Sequence, residues 1–143
     1  RCDAICRMHG AISRAAAESR TDADISALRQ RLEDYRLADS GLAAQQADSA
    51  LHLAIMESAH NSVLKQVLLE MEASVSIGAP AHVWGEPVTM RAMEQRALGE
   101  HTTLVEAIAE GDGDAAEALA RAHVAIDFEN ITAAMRRAGM LID

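Results

Sequence analysis

Aromatic side chains are nearly missing from this chain: one Trp, one Tyr and one Phe make up 2% of its 143 residues. Proline (2) and glycine (8) are scarce as well. Together these shortages exclude collagen-like and low-complexity chains and argue against a β-rich fold. Two cysteines cannot build a disulfide framework. Cys2 and Cys6 stand four apart and read as small apolar residues on one helical face, with metal ligation as the alternative. The N-terminus shows no charged region followed by an apolar run, so no secretion signal is read and a reducing cytoplasm is the expected compartment. No apolar stretch approaches the ~20 residues that span a bilayer. Positive charge is in deficit: 13 Lys and Arg face 22 Asp and Glu, for a net charge of −9. Such a chain suits neither nucleic-acid phosphates nor an anionic membrane. There is no initiator Met, so the segment is expected to belong to a longer protein.

What is abundant is small and apolar. Half the residues are hydrophobic, and 30 of them are alanine, which favours close-packed helices. The punctuation predicts where they lie. A first helix runs from Asp3 to about Arg20. Thr21 caps a second, which carries Leu28, Leu32 and Tyr35. Asp39-Ser40-Gly41 turns into a third from about Leu42 to Ala59, and Asn61-Ser62 opens a fourth with Val63, Leu64, Val67, Leu68, Met71 and Val75. A Pro- and Gly-rich connection, Gly78 to Pro87, holds Trp84 and His82. A fifth helix spans about Val88 to Glu110, and Gly111-Asp112-Gly113-Asp114 breaks and caps a sixth reaching about Arg137, with a kink expected near Asp127. The expected fold is all-α: an antiparallel bundle of about six to seven helices, a single domain over residues 1–143.

Four polar residues stand where apolar ones belong. Asp48 and His52, spaced i, i+4, share the third-helix stripe that continues through Ile55 and Ala59. His101 lies within the stripe Met90, Met93, Ala97, Leu104, Val105, Ile108. His123 lies within Ala115, Ala116, Leu119, Ala122, Ile126. With the turn centred near Asp112, His101 is 11 residues before it and His123 is 11 after it, so in an antiparallel pair rising ~1.5 Å per residue they stand at one height. Three imidazoles and a carboxylate converging inside a bundle suit a divalent cation, zinc first, with nickel, manganese, cobalt or iron as alternatives. The competing reading is a set of core histidines hydrogen-bonded to carbonyls.

These residues also carry a family resemblance. The segment Ala47 to Asn61 resembles the pattern D-x-x-F-H-x-x-(I/L)-x-x-x-(A/S)-x-N of the FCD domain, the C-terminal ligand-binding domain of FadR-subfamily GntR transcription regulators, with Leu51 in place of the usual Phe. Glu100 to Asp112, followed by His123, resembles E-H-x-x-(I/L)-x-x-A-I-x-x-G-D … H. The resemblance implies that the bundle encloses a metal and effector pocket, with a divalent metal held by Asp48, His52, His101 and His123 and a small organic acid bound at or beside it. It puts His9 where such domains often carry a pocket Arg, which leaves His9 as an effector contact or a surface residue. Asn61 matches the pattern and is a candidate effector contact, although its position equally makes it a helix cap. Arg91 is a third candidate contact; Arg96, His60 and His82 read as solvated. Operator DNA would be bound only through an N-terminal winged helix-turn-helix that this chain does not carry, and a homodimer is expected. The alternative function is a metal-dependent hydrolase or oxygenase in a helical bundle, disfavoured because Glu100, adjacent to His101, reads as facing another side and no other general base stands beside the ligands.

Overall fold

Thr21 shows how local chemistry divides this chain. Its Oγ1 accepts the backbone N–H of Asp24 at 3.1 Å, and the Asp24 carboxylate accepts the N–H of Thr21 at 2.8 Å. This reciprocal box satisfies two backbone donors that a helix start leaves open. It separates α1 (Asp3–Ser19) from α2 (Asp22–Leu37). Thr21→Ala is therefore expected to lower stability by ~1 kcal/mol, read as a lower urea midpoint with an unchanged slope; an unchanged midpoint would show that the box is dispensable.

The computed structural model describes residues 3–75, 87–137 and 139. Cys2, His82, Trp84 and most of the Pro- and Gly-rich connection lie outside them. After α2 come α3 (Leu42–Ser58), α4 (Ser62–Val75), α5 (Pro87–Glu110) and α6 (Gly113–Arg137). All regular structure among the described residues is helical, as the composition implies. None of these helices is long and apolar enough to cross a membrane.

Small residues explain how α1 comes to pack against α3, α4, α5 and α6. Ala16 and Ala17 are fully buried, and Gly10 lets α6 approach closely: a Cβ there would stand 2.6 Å from Arg121 Cγ. Larger apolar side chains fill the rest of the core, chiefly Ile12, Leu28, Leu51, Leu68, Val105 and Ile108. Of the apolar residues on α4, Leu68 is buried while Val63 and Val67 are exposed, so its inward stripe is narrower than the sequence pattern.

The two longest helices, α5 and α6, meet in a tight hairpin. Gly111 adopts a left-handed φ of 75°. Its N–H bonds Ile108 O, and the Asp112 N–H bonds Ala107 O at 2.9 Å, closing α5 in a Schellman arrangement. The Arg20 guanidinium covers Ala109 O at 3.0 Å, and Asp112 Oδ1 accepts the Ala115 N–H to start α6. The turn is thereby fixed in register, and register sets which residues of α5 and α6 face each other.

Candidate metal centre

Because the turn is centred near Asp112, His101 on α5 and His123 on α6 come level. Their Nε2 atoms are 3.0 Å apart. From α3, His52 Nε2 reaches within 3.3 Å of His101 Nε2. Asp48, one turn earlier, places Oδ1 at 3.0 Å from His101 Nε2 and 3.4 Å from His52 Nε2. One donor atom from each of the four residues lies within 4.8 Å of every other. The structure thus brings Asp48, His52, His101 and His123 together from three helices, with His101 and His123 buried and Asp48 and His52 half-buried.

The donor set fits a divalent cation. Atoms ~2.1 Å from a shared ion stand ~3.0 Å apart at right angles and ~3.4 Å apart at tetrahedral angles, the span of the separations above. Each ring nitrogen either donates or accepts, so three Nε2 atoms facing one point cannot all satisfy one another. The core-histidine reading also requires the outer nitrogens to find carbonyls. His101 Nδ1 is buried with no hydrogen-bond partner among the described residues. His123 Nδ1 donates to Glu100 Oε1 at 2.7 Å, and in the neutral ring this leaves Nε2 as a lone pair turned inward, the usual arrangement behind a metal-bound imidazole.

The electrostatics follow from the packing. Burial pulls His52 down, but the Asp48 charge and hydrogen bond outweigh it and push His52 up to about 9. Burial also opposes ionisation of Asp48, yet the imidazoles of His52 and His101 hold its carboxyl well below the usual carboxylate range. His101 is lowered, chiefly by burial and further by the neighbouring histidines. Tyr35 of α2 packs edge-on against His101, with ring centroids 5.1 Å apart, and its hydroxyl donates to Glu94 O.

The other expected contacts sit differently. His9 is buried, edge-on to His52, with Nε2 2.7 Å from Glu72 Oε1 of α4. It shares with His52 and His123 the lining of a cavity of about 10 Å³, room for one water and too small for an organic acid. Asn61 is exposed, and its Oδ1 accepts the Leu64 N–H at 3.0 Å as the cap of α4. Arg91 is exposed along a separate open cleft of about 270 Å³ with Tyr35, Arg36, Asp39 and Glu94.

Three residues depart from the sequence reading. Glu100 does not face away: although adjacent to His101, its long side chain reaches across the hairpin to His123. His60 is half-exposed but not merely solvated, since its Nε2 lies 2.6 Å from Asp24 Oδ2. Asp127, read only as a kink position, places Oδ2 3.2 Å from His123 Nε2. The signal for Asp127 was its i, i+4 spacing from His123, the same spacing that singled out Asp48 and His52.

The family model for the FCD domain matches residues 3–126. The HTH-type transcriptional regulator LutR of Bacillus subtilis (strain 168) is 29% identical over 112 residues, covering 76% of this chain and 50% of that protein. The galactonate operon transcriptional repressor of Escherichia coli (strain K12) is 32% identical over 117 residues, covering 80% of this chain and 49% of that protein. The chain spans about half the length of the curated relatives it matches.

Proposed function

The chain belongs to the FCD domain family, and on that premise we propose that it is the effector-sensing and dimerising half of a GntR-type transcription regulator. Asp48, His52, His101 and His123 hold a divalent cation, zinc first. The single observation that carries this reading is the convergence of those four donor atoms within 4.8 Å. When bound, the cation supplies a positive centre at which a carboxylate or hydroxyl oxygen of an effector can be held. One relative is a repressor of a galactonate operon, and galactonate is a sugar acid, which supports a small hydroxy acid as the effector class. Both relatives are named as transcription regulators rather than enzymes, in keeping with a sensing role.

The acidic surface of the domain leaves operator DNA to a separate N-terminal DNA-binding domain of the full-length protein. The mechanism rests on the hairpin and on α1. A cavity that admits one water becomes an effector site only if side chains of α1, α3 and α6 part, His9 and Met56 among them. An effector that binds the parted arrangement more tightly shifts the population toward it. Since α1 touches four other helices, that shift reaches the end of the domain where DNA-binding heads would attach.

The test is a thermal-shift screen of two- to six-carbon hydroxy acids, galactonate included, on zinc-loaded and chelator-stripped protein. At least one acid is expected to raise the melting temperature of the loaded form by several degrees and to leave the stripped form unmoved. Equal responses in both forms would separate effector binding from the metal; no metal in carefully dialysed protein, and none taken up on titration, would remove the centre.

A further inference from the structure

Asp127 is the carboxylate that the four-residue set leaves out. It lies on α6 one turn beyond His123, and its Oδ2 stands 3.2 Å from His123 Nε2, the same spacing that the four donors keep among themselves. The other nitrogen of His123 is already held by Glu100. With the ring proton on Nδ1, the inward Nε2 is a lone pair, and a lone pair facing a carboxylate at this distance is repulsive unless a positive centre lies between them. The same Nε2 faces His101 Nε2 from another direction. A single cation satisfies all three atoms at once.

We infer that Asp127 is a fifth ligand of this cation, so that the centre is built from Asp48, His52, His101, His123 and Asp127 and contains two carboxylates. The inference rests on the metal centre proposed above and adds to it. Two carboxylates balance a divalent charge. They also fill a coordination position that an acid effector would otherwise take, so an incoming carboxylate has to displace Asp127.

Cobalt(II) tests this, because its visible spectrum reports the number and type of ligands. The parent protein is loaded first and its stoichiometry and affinity are measured by chelator competition. Asp127→Asn keeps the size of the side chain and removes the charge, at a position partly exposed enough to tolerate it. It is expected to bind cobalt(II) at least ~10-fold more weakly and to show a changed visible spectrum. Asp127→Ala is expected to take up added acetate, its spectrum moving back toward that of the parent, while the parent does not respond.

If the parent loads and both variants match it in affinity and spectrum, Asp127 is only an ion-pair partner of His123 and the inference fails alone. Weaker binding with an unchanged spectrum and no acetate response would make Asp127 a positioning residue, which also overturns it. A parent that takes up no cobalt(II) removes the centre and the fifth ligand together.

Discussion

Replacing His101 with alanine is expected to weaken divalent-metal binding by ~100-fold or more, since outer-shell partners alone are worth ~10–100-fold and a direct ligand exceeds them. His101 is the hub of the cluster. Its Nε2 is 3.0 Å from Asp48 Oδ1, 3.3 Å from His52 Nε2 and 3.0 Å from His123 Nε2. It is thus tied to all three partners, and its side chain is fully buried. Alanine removes the donor and admits no nearby substitute, because Tyr35 packs on the ring edge-on and its hydroxyl is engaged with Glu94 O. The metal-free protein should suffer less than a buried apolar truncation of similar size, which costs ~2–5 kcal/mol. The change deletes a buried Nδ1 that has no partner among the described residues and relieves three nitrogens crowded on one point. Zinc titration by chelator competition reads the first effect and urea unfolding of the stripped proteins the second. Undiminished zinc affinity in a folded variant would place the metal elsewhere.

The legible part of this architecture was local or nearly so. Thr21 and Asp24, three apart, announced a cap, and the capping position of Asn61 was readable for the same reason. His101 and His123 are far apart in sequence, yet the Gly111–Asp114 break supplied a mirror about which residues pair by counting. Alanine blurred the remainder. On α6 Ala122 belongs to the expected stripe but is exposed, whereas Ala120 and Val124 are buried. A residue tolerated on either face gives a periodic pattern little contrast over 25 positions.

Reach was the second limit. Residue spacing fixes where a Cβ points, but Glu100 bonds His123 across the hairpin through a long, flexible side chain. The partner of His9 comes from α4, Glu72, through packing that no short-range pattern encodes. The size of the space beside the histidines was likewise unreadable: where the resemblance implied a pocket, the packing of His9, His52 and His123 leaves a cavity of about 10 Å³.

Zinc should stabilise the protein more as the pH rises, and a single proton on His52 accounts for the trend. In the metal-free protein His52 is lifted from its ordinary value of 6.5 to about 9. A basic group raised on folding contributes stability that is complete below its unfolded value and is lost as the pH climbs through the folded one. The His52–Asp48 pairing therefore supports the metal-free fold fully below about pH 6.5 and progressively less up to about pH 9. Ligation requires the opposite state of His52, a neutral ring, so near pH 7 zinc must expel a proton to bind. Asp48 imposes no such requirement, because its carboxyl is held well below the usual range and is already ionised. One proton released corresponds to ~10-fold tighter zinc binding per pH unit well below the folded value, or ~50-fold between about pH 7 and pH 9. With free zinc at ~1,000 times its dissociation constant, loading adds ~4 kcal/mol, which for a domain of this size is a rise in Tm of ~10 °C or more. Melting curves with and without zinc, each buffered by a chelator across this range, should diverge as the pH increases. Calorimetric titrations in buffers of different ionisation enthalpy should report about one proton released per zinc near pH 7. A gap that is flat or narrows with increasing pH would mean that His52 is neutral before the metal arrives or takes no part in holding it.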